Sequence, residues 1–186
     1  MSVNIANIMT LIRILAVPFF VSAIVYYQPE HDYLRYVALG IFFVAIFTDI
    51  VDGYFARKYH QDTKIGAILD PLADKFLLMS AFICLYVARE ISTPAGIPLW
   101  ILLIVISRDA ILLVGGAAVY LTRGSIDVVP SRLGRMTTFF QVIAIIGVLL
   151  HLSFFPALWY AVGILSILSG ADYLYRGVKV FNDSSR

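Results

Sequence analysis

The chain has 186 residues, of which 61% are hydrophobic and 14% charged, with a formal net charge of +2. Soluble domains carry about 25% charged residues, and a soluble chain of this size has no core able to hide so much apolar surface. Lipid must therefore be its solvent. The length allows one domain, residues 1–186. The single cysteine, Cys84, excludes an internal disulfide and reads as a small buried hydrophobe.

A bilayer core of about 30 Å is crossed by about 20 apolar residues in a helix. Six stretches meet that requirement, at about residues 8–27, 36–55, 68–88, 98–121, 136–152 and 155–175. The predicted fold is all-α, an integral membrane bundle of six transmembrane helices. "QPEHD", "STPAGIP", "TRGSIDVVP" and "FFP" supply turn chemistry between spans. No basic residue precedes Arg13 and the first apolar run outlasts a signal-peptide core, so a cleaved signal is not expected.

In the first span, Asn7, Thr10 and Arg13 recur every three residues and share a face near one end. They could line a binding site or anchor the helix at headgroup depth. Pro18, farther along, is expected to kink the span. The link after the second span carries Arg57, Lys58 and Lys64; that after the fourth carries Arg123, Arg132 and Arg135; the tail carries Arg176, Lys179 and Arg186. The opposite links carry only Arg35 and Arg89. The positive-inside rule then places both termini and the link after span two in the cytoplasm.

Asp49 and Asp52 close the second span and Asp70 and Asp74 open the third. Spacings of three and four put each pair on one helical face. The polar stretch between them is short, so the two spans are antiparallel neighbours and the pairs can face each other. Four converging carboxylates repel unless a cation sits among them. Hard oxygen donors suit Mg²⁺, Mn²⁺ or Ca²⁺; zinc or copper would call for His or Cys nearby. Solvated interfacial acids are the alternative, and His60 is read as a loop residue. Gly53 beside Asp52, and Gly66 four residues before Asp70, allow close approach of backbone or ligand. Arg57 adds a planar cation suited to phosphate, although alone it would be a topological anchor. A metal cluster with a guanidinium beside it is a setting for a diphosphate.

Asp49-x-x-Asp52-Gly53-x-x-Ala56-Arg57, then eight residues, then Gly66-x-x-x-Asp70-x-x-x-Asp74, resembles the signature of the CDP-alcohol phosphotransferases, with every specified position and both gaps matching. The resemblance implies one transmembrane transferase domain over residues 1–186, active site toward the cytoplasm of a bacterial inner membrane. It implies transfer of a phosphatidyl group from CDP-diacylglycerol to an alcohol, with release of CMP. Two divalent cations, Mg²⁺ or Mn²⁺, would be held by Asp49, Asp52 and Asp70, with Asp74 at the second metal and as general base. Gly53, Arg57 and Thr63 would line the CDP site, with Gly66, Asn7 and Thr10 beside it. A homodimer is what the family suggests.

Arg108 lies inside the fourth span beside Asp109, and an intramembrane arginine is by default a functional candidate; a local ion pair is its structural alternative. Arg132 and Arg135 share a face at the start of the fifth span, accompanied by Ser131, Gly134, Thr137 and Gln141. The three arginines are the candidates for an acceptor's phosphate, although basic residues also flank spans for topological reasons. "NIANIMTLIRILAVPFFV" and "PSRLGRMTTFFQ" resemble segments of phosphatidylglycerophosphate synthases, so the expected acceptor is glycerol 3-phosphate. Ala6 replaces a usual proline, and "SRDAILLVGG" is closer to cardiolipin synthases, whose acceptor is phosphatidylglycerol. A small cation transporter is the competing class, but the acids cluster at one end of the spans and a pore needs polar groups through the full depth. The basic residues form no continuous patch, so no nucleic-acid partner is expected.

Overall fold

The structure is a computed structural model that describes residues 5–59, 66–88, 91, 96–123, 131–152 and 155–183, with side chains at 11–48, 72–73, 75–88, 91, 96–118, 131–152 and 157–177. Six helices account for nearly all of it: α1 (Ile5–Val25), α2 (Tyr33–Tyr59), α3 (Gly66–Val87), α4 (Leu99–Arg123), α5 (Arg132–Leu149) and α6 (Phe155–Asp183), with a 3₁₀ turn at Pro29–His31. No strand occurs among the described residues. Each expected span finds its helix, but α2 and α6 run 27 and 29 residues. Hydropathy marks only the apolar slab, whereas backbone hydrogen bonding carries a helix on into the polar interface. At the end of α6 the Arg176 guanidinium pairs with Asp172 one turn earlier at 2.9 Å. Among the described residues, three helices are long and apolar enough to cross a membrane by length and composition, at Leu99–Ala118, Arg132–Leu149 and Ala157–Gly177; α1, α2 and α3 contribute shorter apolar stretches, Leu11–Val25, Tyr33–Thr48 and Lys75–Val87.

Helix α1 continues through Pro18. Pro18 has no N–H for the carbonyl one turn earlier, while its own carbonyl accepts a bond from the Ser22 hydroxyl at 2.8 Å. Pro71 falls in the second turn of α3, which begins at Gly66.

The helices form two compact units: Met1–Gly96 with Val148–His151, and Ile97–Gly147 with Leu152–Arg186. In the first, α1 packs against both α2 and α3. Phe20 and Phe42 bring their rings to 5.8 Å, and Ala23, Ile24, Ala38, Ala45, Leu77, Ala81, Phe82 and Leu85 complete a core of alternating large and small side chains. Arg35, which reads in the sequence as a link residue, is 6% exposed and braces this unit. Its Nε and Nη2 donate to the two Asp32 oxygens at 2.7 Å each, and Nη1 donates to the carbonyl of Leu149 at 2.7 Å. The bond from Arg35 holds the Asp32 carboxyl below its ordinary range. A cation on the last carbonyls of α5 also complements that helix's dipole.

In the second unit, α4 packs along α6. Gly163 is what permits the approach: a Cβ there would lie 2.7 Å from the Trp100 ring and 3.2 Å from Ile101. Gly163→Ala should therefore cost about 1–3 kcal/mol through overpacking, read as a lower unfolding temperature in detergent. Gly177→Ala, whose new methyl would meet nothing within 4 Å, should be neutral or slightly stabilising.

Candidate functional site

The first unit carries the acidic motif. Asp49 and Asp52 lie on α2 and Asp70 and Asp74 on α3. Their side chains lie outside the described residues, as do those of Asn7, Thr10 and Arg57 and the surroundings of Gly53 and Gly66, together with Thr63 as a whole. The helical register is informative nonetheless. Ala38, Phe42 and Ala45 form the buried stripe of α2, and steps of four and three from Ala45 reach positions 49 and 52. On α3 the buried stripe of Leu77, Leu78, Ala81 and Leu85 extends back by the same steps to 74 and 70. Positions 49, 52, 70 and 74 thus continue the spacing of those two stripes. The shared partner of those two helices is α1.

Arg13, one turn beyond Thr10, is 1% exposed. The face of α1 that bears it turns into the protein. Asn7 and Thr10 continue that face by sequence spacing. As a donor set, four carboxylates on two helices match hard divalent cations in charge and ligand chemistry. Among the described residues no group of three or more His, Cys, Asp or Glu could hold a metal.

The second unit carries the candidate arginines. Arg108 is 4% exposed and Asp109 fully buried. Nη1 of Arg108 pairs with the Asp109 carboxylate, and Nη2 donates to Ser169 Oγ of α6 at 2.9 Å. Nε of Arg108 has no partner among the described residues. Arg108 is thus ion-paired, as one reading of the sequence expects, and also keeps a donor to spare. Helix α5 starts beside it. Ser131 caps that helix by accepting the Gly134 N–H at 2.9 Å. A Cβ on Gly134 would stand 3.4 Å from Arg108 Nη2 and 3.3 Å from Ser131 Oγ, so glycine at this position leaves the guanidinium room. Arg132 and Arg135 are exposed, one either side of Gly134 in sequence but directed to a different face of α5 from the glycine. The structure thus brings Ser169 and Gly134 to Arg108, and leaves Arg132 and Arg135 on the surface.

Deeper along α5 the polar residues are buried. Thr137 Oγ1 lies 2.8 Å from the Leu133 carbonyl and 3.0 Å from that of Leu165, its one proton serving either. Gln141 and Ser166 have no exposed surface. Ser169, the partner of Arg108, was missed in the sequence; the signal that could have found it is the Ser166-x-x-Ser169 spacing, one polar face on the otherwise apolar first half of α6.

Comparison with known proteins supplies what geometry does not. Residues 3–169 match the family model of the CDP-alcohol phosphatidyltransferases. A probable phosphatidylglycerophosphate synthase of Mycobacterium tuberculosis is 36% identical over 183 residues, covering 95% of this chain and 82% of its own. A CDP-diacylglycerol–glycerol-3-phosphate 3-phosphatidyltransferase of Bacillus subtilis is 34% identical over 202 residues, covering 98% of this chain and 99% of its own. Its counterpart in Aquifex aeolicus is 31% identical over 186 residues, with coverages of 95% and 97%.

Proposed function

Since the chain belongs to the CDP-alcohol phosphatidyltransferase family, we propose that it transfers the phosphatidyl group of CDP-diacylglycerol to glycerol 3-phosphate, giving phosphatidylglycerophosphate and CMP. The observation that carries this reading is the placement of four aspartates, two each, on α2 and α3, which share α1 as a packing partner. The names of the relatives from Bacillus subtilis and Aquifex aeolicus support the choice of donor and acceptor.

In this reading Asp49, Asp52, Asp70 and Asp74 hold two divalent ions, Mg²⁺ or Mn²⁺. Held there, such ions would supply neutralisation of the diphosphate charge and stabilisation of the departing CMP. Asp74 accepts the proton of the acceptor hydroxyl. A new bond forms between that oxygen and the lipid-side phosphorus, and the bond from this phosphorus to the CMP oxygen breaks. Arg57, Gly53, Gly66 and Thr63 cradle the CDP, with Asn7 and Thr10 beside them. Arg108, Arg132 and Arg135 take the acceptor's phosphate, for which a guanidinium is geometrically suited.

The family match spans both compact units, which supports treating the chain as one transferase domain. Six membrane spans, cytoplasmic termini and a cytoplasm-facing site in a bacterial inner membrane are supported by the apolar stretch in every helix and by the distribution of basic residues. A homodimer completes the proposal.

The test is purified protein in detergent with CDP-diacylglycerol, a divalent salt and a panel of alcohols, scored for CMP and for the lipid formed. Glycerol 3-phosphate should be the productive acceptor. Chelation should abolish CMP release and added Mg²⁺ or Mn²⁺ should restore it. Turnover with phosphatidylglycerol and none with glycerol 3-phosphate would replace the acceptor while keeping the chemistry.

A further inference from the structure

Two buried polar side chains of the second unit take no part in the proposed chemistry. Gln141 of α5 and Ser166 of α6 are both fully buried, and neither side chain has a hydrogen-bond partner among the described residues. We propose that they hold one internal water molecule between them, a binding site that ties α5 to α6.

The contacts between the two helices fix how these residues meet. Thr137 Oγ1 lies 3.0 Å from the Leu165 carbonyl, and a Cβ on Gly134 would lie 3.7 Å from Ser169 Oγ. Position 134 thus faces 169 and position 137 faces 165, so the helices run antiparallel here. Gly134, Thr137 and Gln141 recur at steps of three and four and share a face of α5; Val162, Ser166 and Ser169 do the same on α6. Those two faces meet. The register places Gln141 about 6 Å beyond the Thr137–Leu165 contact and Ser166 about 1.5 Å on its other side. Helical side chains lean toward the N-terminus of their own helix. In an antiparallel pair that lean carries Gln141 and Ser166 toward each other, without closing a direct hydrogen bond between them. A bridging water spans such an interval.

The chemistry of the pair selects this ligand. An amide and a hydroxyl buried without partners each bear a full desolvation penalty, and the neighbouring Ala144, Ile145 and Val162 are buried hydrocarbon with nothing to offer them. Gln141 presents an acceptor oxygen and two N–H donors, and Ser166 presents a donor and an acceptor. A small neutral molecule that both donates and accepts satisfies them together. An ion would find no countercharge in the pair, and full burial leaves no opening for an organic molecule. Water held by buried polar partners is the ordinary occupant of such a site.

A double-variant cycle tests the bridge, read as unfolding temperature in detergent for Gln141→Leu, Ser166→Ala and the two combined. With a shared water, each single variant leaves the other residue without its bridge and should lower the unfolding temperature by about 2–8 °C. The combined variant, with no polar group left to satisfy, should recover most of that loss. Two dry, unbridged residues would behave in the opposite way: each substitution removes an orphaned group, so both should raise the unfolding temperature and their effects should add. That result would overturn the proposal, as would additive losses, which belong to two separate packing roles. Hydroxyl-radical footprinting of the wild-type protein gives a readout that needs no variant to fold. Radiolysis of a bound water oxidises side chains beside it, so the fully buried Val162, one turn before Ser166, should gain oxygen. The combined variant should lose that label. An unlabelled Val162 in the wild type, or a label that persists in the combined variant, would remove the water from this site.

Discussion

Asp74→Asn should lower CMP release by about a thousandfold or more, with the protein still inserted in the membrane and folded. The substitution keeps the size of the side chain but removes both a hard ligand oxygen and a base. General acid–base catalysis alone contributes about 10²–10⁴-fold, and loss of a carboxylate ligand weakens ion binding as well. Stability should move the other way. In the proposed site Asp49, Asp52, Asp70 and Asp74 converge, and without bound ions four such carboxylates repel one another, so neutralising one relieves repulsion. The metal-free variant should unfold at or above the wild-type temperature.

The two roles of Asp74 separate in a divalent-ion titration. A residue acting only as a ligand would have its activity restored by higher Mg²⁺, because mass action refills a weakened site. A residue acting as the base would stay inactive at saturating ion. Turnover within tenfold of wild type at ordinary ion concentration would remove Asp74 from the site altogether.

Arg108→Met should be the most destabilising single change in the second unit. Asp109 is fully buried, and removing one partner of a buried ion pair costs about 3–5 kcal/mol because a charge is left without its counterpart. Ser169 loses its donor in the same step. The double variant Arg108→Met/Asp109→Leu should recover most of that loss, since apolar replacement of a whole buried pair is often neutral. Recovery makes the second question answerable. If Arg108 also binds the acceptor phosphate, as proposed, the refolded double variant should show KM for glycerol 3-phosphate raised about tenfold or more, the worth of a charge-assisted hydrogen bond. KM for CDP-diacylglycerol should stay put. A stable double variant with unchanged KM for glycerol 3-phosphate would assign Arg108 to packing alone and leave the phosphate to Arg132 and Arg135.

Asp32 and Arg35 show how far a linear reading reaches. In the sequence Arg35 is one cation in a link, informative only for orientation. In the fold its guanidinium spends four donor contacts on Asp32, Tyr36 and the end of α5. The Leu149 carbonyl is 114 residues away, so no spacing rule could have found the pairing. Gly163 is similar: it is one apolar-run glycine among several until Trp100 is seen to lie where its side chain would go.

What the amino-acid order determined by itself is everything with a local cause. Six apolar stretches made six helices, because a backbone in lipid must satisfy its hydrogen bonds within the segment. The spacing of Asp49, Asp52, Asp70 and Asp74 set which helix faces they share, because residues three or four apart stack along a helix whatever surrounds it. The family followed from the same residues. The tertiary structure alone decided that Arg108 would reach Ser169 of α6, that Arg132 and Arg135 would stay exposed, and that Trp100 would pack where a side chain on Gly163 would go. Those outcomes depend on which faces meet. Side-chain volume and buried charge settle that only when distant segments are in contact.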